Sequence, residues 1–345
     1  MFRQFFRSKP CNFFLTRTCT SLSPYKSNPY IHNLTTATST SIRTITNKMS
    51  TEAQSSNEQF SLANLFGVKG RVALITGGGS GIGLMATQAL AKNGAKVYIT
   101  GRTEEKLERV AELYNQNIQG QIIPITADVT DKSSIDKLVK EISSKEKALH
   151  ILINNAGVSS ATQDTEPENP DELRKALFED ASSSMEQWDK TYRTNVVQCF
   201  FTTTAFLPLL QKGTETEKGW SSTAINISSI SGIIKASQHH FAYNASKAAT
   251  IHLTKMLAHE IASSGLRIRI NNIAPGVFPS EMTAGESDAT QKSFIPKEKY
   301  EKVPAKRPGK DEDMASTVLF TAANQYLNGQ TIVVDGGYVL ATGSV

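Results

Sequence analysis

The chain has 345 residues, of which 39% are hydrophobic and 20% are charged, a balance typical of a globular protein with a sizeable core. No run of about 18 apolar residues occurs, so the sequence predicts no membrane span. The formal net charge of +5 arises in residues 1–50, which hold seven basic and no acidic side chains, whereas the other residues hold 30 basic and 32 acidic ones. This nearly neutral body argues against a nucleic-acid-binding surface.

Residues 1–50 have the composition of an organelle transit peptide. They contain 16 Ser or Thr residues and apolar clusters such as "MFRQFF", but they lack the unbroken apolar core of a secretory signal. We therefore predict a mitochondrial location, with two alternatives: a disordered tail, or a shorter cytoplasmic form that starts at Met49. Beyond this segment the only cysteine is Cys199, in an apolar run, so we expect a buried thiol and neither a disulfide framework nor a metal site.

From residue 70 onward, short apolar runs alternate with helical patterns. The runs are β-branched and continuous, as expected for strands buried on both faces. They span 71–76, 96–100, 121–127, 149–153, 223–228, 266–273 and 330–334. The helical patterns cover 83–93, 103–117, 131–144, 185–211, 241–263 and 311–323. This alternation predicts an α/β fold: a Rossmann-type, doubly wound, mainly parallel seven-stranded sheet in a single domain over 65–345, with a linker at 51–64.

Two long polar stretches interrupt the alternation. Residues 159–184 are acidic, and residues 281–310 are rich in Lys, Glu and Pro. Both follow strand ends, where ligands bind in open α/β sheets. Their length favours substrate loops or lids over plain surface loops.

The segment 76–83, "TGGGSGIG", joins the first predicted strand to the first predicted helix. Gly77, Gly81 and Gly83 form the pattern G-x-x-x-G-x-G. Such glycines let the backbone approach a pyrophosphate, while the helix N-terminus supplies amide donors and a positive dipole. The strand–turn–helix context favours a nucleotide site over a flexible turn without a ligand.

The second predicted strand ends in "TGR", about twenty residues after the Gly-rich turn. Arg102 stands where an acidic residue would accept from the ribose of NAD. An acid would repel a 2′-phosphate, whereas a guanidinium pairs with it. The sequence therefore favours NADP(H) over NAD(H), and the alternative is a solvated Arg102 that merely precedes the helix.

The stretch "FAYNASKAAT" (241–250) places Tyr243 and Lys247 four positions apart, on one face of a helix. An ordinary amphipathic surface would show the same spacing. The other interpretation is a proton-donating phenol whose pKa is lowered by an adjacent ammonium group.

Further motifs, taken in order, resemble the short-chain dehydrogenase/reductase family over about residues 68–340. Besides the Gly-rich turn they are "ADV" at 127–129, "NNAG" at 154–157, Asn195 in "RTNVVQCF", Ser229 in "NISSISG", Tyr243 and Lys247 in "YNASK", "RINNIAPG" at 269–276 and "GQTIVVDGG" at 329–337. The resemblance implies an enzyme in which a nicotinamide hydride adds to a carbonyl group of a small-molecule substrate.

The resemblance assigns a role to each member of the catalytic set. Tyr243 would protonate the developing oxyanion, and Lys247, with the oxidised nicotinamide, would move the pKa of the phenol toward the operating pH. Lys247 would also bind the nicotinamide ribose. Ser229 would polarise the carbonyl oxygen, and Asn195 would anchor a water that relays protons from Lys247.

Ser229 lies fourteen positions before Tyr243, one more than is usual in the family. Ser228 and Ser231 are therefore rivals for its role, although the following "ISG" favours Ser229.

The resemblance also implies the cofactor contacts, in which Tyr243 and Lys247 take part. Asp128 would face the adenine amine, and Ser280 would donate to the carboxamide where the family often has Thr. Besides Tyr243 and Lys247, the full set is Gly77, Ser80, Gly81, Ile82, Gly83, Arg102, Asp128, Val129, Asn155, Ala156, Gly157, Pro275, Gly276, Val277 and Ser280.

Within the family, the segment 256–283 and the fourteen-residue spacing most resemble reductases of 3-oxoacyl thioesters, including the rhamnolipid-pathway type. The alternatives are a secondary-alcohol or polyol dehydrogenase and a catalytically silent nucleotide-binding protein. The complete Asn–Ser–Tyr–Lys set argues against the silent protein. The family also implies a homodimer or homotetramer, paired through the predicted helices 185–211 and 241–263.

Overall fold

Seven parallel strands form the central sheet of the computed structural model, which describes residues 53–344. The strands are β1 (Val72–Thr76), β2 (Lys96–Gly101), β3 (Gln121–Thr126), β4 (Ile151–Asn154), β5 (Thr223–Ile227), β6 (Arg269–Pro275) and β7 (Thr331–Val334). Their order is β3-β2-β1-β4-β5-β6-β7. The prediction of a doubly wound, seven-stranded Rossmann-type sheet is confirmed, and all of its pairings are parallel.

The strand order reverses between β1 and β4, which are neighbours in the sheet. From β1 the chain continues through β2 and β3 to one edge, and from β4 it continues through β5 and β6 to β7 at the other edge. Thr76, the last residue of β1, is in register with Thr100 on one side and with Asn154 on the other. The crevice beyond the carboxyl ends of these strands is where ligands bind in this kind of sheet. The predicted Gly-rich turn starts there.

The central strands are buried along their whole length, as their continuous apolar runs predict. Every residue of β1, β4, β5 and β6 is buried. Because successive side chains of a strand point to opposite faces, β1 contributes Ala73 and Ile75 to one hydrophobic cluster and Val72 and Leu74 to the other. One core therefore lies on each face of the sheet.

The main helices flank the sheet. They are α1 (Gly81–Lys92), α2 (Glu104–Tyr114), α3 (Lys132–Lys145), α4 (Met185–Tyr192), α5 (Gln198–Ala205), α6 (Leu207–Glu215), α7 (Phe241–Ser263) and α8 (Asp311–Ala323). Short helices cover Leu62–Leu65, Pro170–Arg174, Glu281–Ala284 and Tyr338–Thr342, 3₁₀ turns cover Ile230–Gly232 and Lys297–Lys299, and π-turns cover Lys175–Glu179 and Arg193–Val197.

The predicted helix over 185–211 is divided in the structure. A π-turn at Arg193–Val197 separates α4 from α5, and α6 starts again after Phe206. Pro208 stands at the start of α6, because a proline is tolerated in the first turn of a helix but not in its interior. The predicted loop 159–184 likewise contains a short helix and a π-turn.

The compact unit that carries the sheet is Phe60–Val345. The predicted transit segment 1–50 lies outside the described residues. Of the predicted linker 51–64, the structure describes a helical stretch at 53–58 and the start of the short helix Leu62–Leu65. Within 53–344, no helix combines the length and apolar character that a membrane crossing requires, and no group of three metal-ligating His, Cys, Asp or Glu side chains is found. Cys199 is buried, and burial raises the pKa of its thiol to about 12.

Candidate active site

A cavity of about 330 Å³ opens at the carboxyl ends of the central strands. Its walls come from the Gly-rich turn, the segments after β2, β3 and β4, the first turns of α7, and the residues that follow β6. Thirteen of the predicted catalytic and cofactor-binding residues line it: Gly77, Ser80, Gly81, Ile82, Arg102, Asp128, Val129, Asn155, Ala156, Gly157, Tyr243, Lys247 and Ser280. The rival Ser228 also lines the cavity, whereas Ser229 and Asn195 do not.

The Gly-rich turn is closed by contacts that leave no room for a Cβ at Gly77 and Gly83. Gly77 has a φ of +66°, a left-handed conformation that disfavours any residue with a Cβ. A Cβ on Gly83 would lie 2.0 Å from the carbonyl oxygen of Gly77. Asn155 Nδ2 donates to the carbonyl oxygens of Thr76 and Gly77, both at 3.0 Å. The side chain of Asn155 thus holds the turn in shape, while its segment forms part of the cavity wall.

Positive charge lines the end of the cavity near β2. Arg102 is exposed, and no hydrogen bond or ion pair to its guanidinium is found within residues 53–344. Lys106, on the first turn of α2, pairs with Glu281 at 2.6 Å. An anionic group of the ligand can therefore pair with Arg102 without displacing a protein partner.

Asp128 lies where β3 ends. Its Oδ1 accepts from the backbone N–H of Thr130 at 2.9 Å and from the Thr130 hydroxyl at 2.7 Å. A contact with an adenine amine, as predicted, would therefore fall to the other carboxylate oxygen.

Lys247 lies at the opposite end of the cavity, one helical turn after Tyr243 on α7. Its side chain is buried, with 3% exposure, and its Nζ donates to the carbonyl oxygen of Ile227 at 3.0 Å. The same Nζ lies 5.5 Å from the centre of the Tyr243 ring. Burial disfavours the charged ammonium group and lowers the pKa of Lys247 to about 8.

The phenol of Tyr243 behaves differently from the prediction. Part of its ring faces the cavity, yet burial raises its pKa, and a hydrogen bond from Ser229 opposes this effect only in part. The predicted lowering of the pKa by Lys247 is not found in the protein by itself: loss of solvation raises the pKa, and the hydrogen bond from Ser229 is the effect that opposes it. Tyr243 therefore keeps its proton at neutral pH, which is the state that a proton donor needs.

The structure separates the three rival serines. Ser228 is directed toward β6, where its Oγ donates to a strand carbonyl at 3.3 Å. Ser231 donates to Gln238 Oε1 at 2.8 Å. Ser229 accepts from the backbone N–H of Ser231 at 3.1 Å and hydrogen-bonds to Tyr243. Ser229 is thus the serine of these three that touches the phenol, in agreement with the sequence motif.

Asn195 occupies the π-turn between α4 and α5 and is almost completely buried. Its Nδ2 donates to the Val158 carbonyl and to Ser246 Oγ, both at 3.0 Å, and its Oδ1 accepts from the Val158 N–H at 2.9 Å. Both amide hydrogens of Asn195 are already donated. A water in the predicted relay could therefore only donate to Oδ1, which has one lone pair left to accept. The side chain also fixes the segment after β4 against α7.

Four residues predicted as cofactor contacts lie away from the cavity wall. Gly83 packs inside the Gly-rich turn. Pro275 is the last residue of β6 and pairs with Val334, and Gly276 donates to the Val334 carbonyl at 2.9 Å. Val277 lines a neighbouring cavity of about 240 Å³. The chain after β6 stays bonded to β7 at Gly276 and reaches the cavity again at Ser280.

Sequence reasoning missed several residues of the site. Lys106 and Glu281 line the cavity, and His240 packs edge-on against Tyr243, with 6.4 Å between ring centroids. Burial lowers the pKa of His240. A signal for Lys106 does exist: α2 begins directly after Arg102, and helical side chains point back toward the N-terminus. Glu281 and His240 depend on contacts between distant segments.

The cavity fits a nicotinamide dinucleotide on these observations: a turn with no room for a Cβ at Gly77 and Gly83, an Arg102 without a partner among residues 53–344 at one end, and a buried ammonium group beside a protonated phenol at the other. It joins a phosphate-binding type of surface to a proton-donating one.

A family model described as short chain dehydrogenase matches residues 71–291. A short-chain dehydrogenase/reductase of Diaporthe leptostromiformis, PhomF, is 40% identical over 290 residues, which cover 82% of this chain and 96% of that protein. The rhamnolipids biosynthesis 3-oxoacyl-[acyl-carrier-protein] reductase of Pseudomonas aeruginosa is 34% identical and covers 80% of this chain and 98% of its own length. A solved structure of the P. aeruginosa RhlG/NADP active-site complex is similar with a TM-score of 0.66 and 31% identity, covering 79% of this chain and 98% of that chain.

Proposed function

Since the chain belongs to the short-chain dehydrogenase/reductase family of oxidoreductases, we propose that it uses NADP(H) to reduce a carbonyl group to an alcohol. The observation that carries this proposal is the hydrogen bond between Ser229 and Tyr243. Tyr243 lines the cavity together with the buried Lys247, which lies one helical turn further along α7. A proton donor, an oxygen-polarising hydroxyl and a cation converge there.

The reaction adds one hydride and one proton across the carbonyl bond. When bound, the nicotinamide supplies the hydride to the carbonyl carbon. Ser229 redirects its one hydroxyl hydrogen from Tyr243 to the carbonyl oxygen and so favours the charge that develops on that oxygen. Tyr243 transfers its proton to that oxygen. The ammonium group of Lys247 stabilises the phenolate that remains, because an opposite charge favours the ionised form.

The choice of NADP(H) rests on Arg102. Its guanidinium is exposed at the cavity edge and lacks a partner among residues 53–344, so it can pair with a 2′-phosphate at no loss of a protein contact. The similarity to a protein solved as an NADP complex supports this choice.

For the substrate we propose a 3-oxoacyl thioester. Two kinds of relative support it: the rhamnolipids biosynthesis reductase, and the 3-oxoacyl-[acyl-carrier-protein] reductase of Thermotoga maritima, which is 30% identical and covers 79% of this chain. The loops 159–184 and 281–310 would receive the acyl chain. The first of them reaches the site, because Ser160 contacts His240 at 3.2 Å beside Tyr243.

Two further proposals concern assembly and location. Large apolar side chains on α4, α5 and α7 are exposed, among them Met185, Phe200 and Met256, which supports a homodimer or homotetramer formed through these helices. Light scattering on the purified protein tests it, since a monomer would refute it. We also propose mitochondrial targeting by residues 1–50, on their composition; a fusion of this segment to a fluorescent protein that stays in the cytoplasm would refute it.

The decisive experiment follows the near-ultraviolet absorbance of NADPH with a panel of ketones, diketones and 3-oxoacyl thioesters. We expect oxidation of NADPH with at least one thioester, and a loss of turnover of about 10³-fold in Tyr243→Phe. Tyr326→Phe is the matched control, since Tyr326 is fully exposed and lies outside the cavity. Turnover by Tyr243→Phe at the wild-type rate would refute the mechanism. Tight binding of NADPH without turnover would favour a silent nucleotide-binding protein.

A further inference from the structure

An ion pair joins two distant segments at the exposed edge of the cavity. Lys106 Nζ lies 2.6 Å from Glu281 Oε1, across 175 positions of the chain. Both side chains line the cavity and are partly exposed, 42% for Lys106 and 32% for Glu281. The Ser287 hydroxyl donates to the same carboxylate oxygen at 2.6 Å. The pair therefore links α2 to the segment that follows β6.

The Glu281 carboxylate lies at the anion-binding end of α1. Burial by itself raises the pKa of Glu281, but hydrogen bonds with Lys106, Ser287 and Ser80 outweigh it and lower the pKa. Ser80 is the N-cap residue of α1, the helix that follows the Gly-rich turn. Amide donors and a positive dipole at such a helix start favour a negative group. In the protein by itself, Glu281 supplies that negative charge.

Lys106 also lies close to the Gly-rich turn and shares the cavity wall with Arg102. A Cβ built on Gly79 would be 3.8 Å from the Cβ of Lys106. Arg102 has no partner within residues 53–344, whereas Lys106 has Glu281. The two cations thus differ in one respect. A ligand phosphate can bind Arg102 directly, but it must displace the Glu281 carboxylate to bind Lys106.

We propose that Lys106 is a second 2′-phosphate-binding residue beside Arg102, and that Glu281 is an internal anion which holds Lys106 until the 2′-phosphate replaces it. This inference rests on the proposed use of NADP(H). An ion pair between partly exposed side chains contributes little, so it opens readily. A phosphate monoester carries more charge than a carboxylate and offers three acceptor oxygens, so it is the stronger partner for an ammonium group.

The exchange would make Lys106 and Glu281 determinants of cofactor preference. A ligand without the 2′-phosphate would leave the Lys106–Glu281 pair intact and would gain nothing from Lys106. A ligand with it would gain a cation and release the carboxylate from the cavity edge.

The test measures binding, without turnover, by calorimetry on the full chain. The probes are 2′,5′-ADP and 5′-ADP, which differ by the 2′-phosphate alone. The variants are Lys106→Met, Glu281→Gln and the double variant. Lys96→Met is the matched control: Lys96 also pairs with a glutamate, at 2.8 Å, and has 43% exposure, but it lies outside the cavity.

We expect Lys106→Met to weaken binding of 2′,5′-ADP about tenfold, the loss of one charge-assisted hydrogen bond, and to leave 5′-ADP unchanged. Glu281→Gln should tighten binding of both probes, because both carry a 5′-phosphate for the start of α1, but the gain should be severalfold larger for 2′,5′-ADP. This extra gain should vanish in the double variant, because it acts through Lys106. Lys96→Met should change neither probe.

Equal weakening of both probes by Lys106→Met would place the lysine on another phosphate and refute the inference, as would no change with either probe. Arg102→Ala separates this failure from that of the proposed function. If it abolishes the preference for 2′,5′-ADP while Lys106→Met does not, the inference alone fails. If the wild-type protein binds both probes equally, the proposed NADP(H) preference fails and the inference fails with it.

Discussion

The two ends of the cavity differ in how deeply their polar and charged side chains are buried. At the proton-donating end, Lys247 and Asn195 are buried; Lys247 donates to the Ile227 carbonyl, and Asn195 donates to Val158 and Ser246 on two different segments. At the phosphate end, Arg102 is exposed and the ligand surface is largely backbone. Low solvation shifts pKa values and strengthens each polar contact, whereas exposed charges are screened by water. Substitutions should therefore have large effects at the first end and smaller ones at the second.

Ser229→Ala tests the buried end where chemistry is expected. We expect kcat/KM to fall about 10²- to 10³-fold, as for the removal of one hydrogen-bond donor to a developing oxyanion. Ser228→Ala and Ser231→Ala serve as controls, because their hydroxyls bond to β6 and to Gln238. A larger loss in Ser228→Ala than in Ser229→Ala would show that the wrong serine has been assigned.

Lys247→Met separates function from stability. Burial lowers the pKa of Lys247 from 10.5 to about 8, and each unit of pKa corresponds to about 1.4 kcal/mol. Below pH 8 the lysine is protonated in both states, so the folded state bears the full cost of the buried charge. Between pH 8 and 10.5 the folded state loses its proton first, so the free energy of unfolding rises with pH across this window.

We therefore expect Lys247→Met to be inactive yet more stable than the wild-type protein at pH 7, by about 2–3 kcal/mol after allowance for the lost hydrogen bond to Ile227. The difference should shrink as the pH rises toward 10.5. Urea denaturation at pH 7 and pH 10 measures it. A variant that is less stable than wild type at pH 7 would show that the buried ammonium group is fully compensated by its surroundings.

The two ends also differ in how well the sequence predicts them. The sheet and the Gly-rich turn follow from local patterns: continuous β-branched runs gave every strand, and the predicted run 71–76 became Val72–Thr76. The pKa of Tyr243 and the π-turn at Arg193–Val197 do not follow from such patterns. The first depends on how deeply the phenol is packed, and the second places Asn195 against Val158 and Ser246.

The Lys106–Glu281 pair shows the same limit at the exposed end. Neither residue belongs to a motif, and 175 positions separate them. Only the fold brings α2 and the segment after β6 to one cavity edge. Local sequence thus predicts which elements form and which backbone turns bind ligands, but not which side chains meet across elements.

Gly83→Ala tests the backbone wall between the two ends. Gly83 lies in α1, where alanine normally stabilises a helix relative to glycine by about 1 kcal/mol. Here the new Cβ would lie 2.0 Å from the Gly77 carbonyl oxygen and 2.5 Å from Asn155 Nδ2. We expect this steric overlap to outweigh the usual gain in helix stability, so that the substitution lowers the free energy of unfolding by about 1–3 kcal/mol.

Gly79→Ala is the control in the same turn. A Cβ there meets nothing closer than 3.4 Å, so we expect a change within about 0.5 kcal/mol. Thermal and urea denaturation of both variants measure the difference. A stabilised Gly83→Ala variant would mean that the Gly77 carbonyl moves freely, and the turn would then not be a rigid wall.

Arg102→Ala should have the smallest effect, because its charge is exposed. We expect the Kd for NADPH to rise about tenfold, equal to about 1.4 kcal/mol, and the Kd for NADH to stay unchanged. The difference should decrease in high salt, which screens exposed charges within a few ångströms. Arg109→Ala is the matched control. Arg109 lies on α2, the helix that follows Arg102, and it is exposed, pairs with Glu112 and lies outside the cavity. A rise in both Kd values would place Arg102 on the adenine or pyrophosphate instead. Arg102 would then not determine the preference between NADPH and NADH.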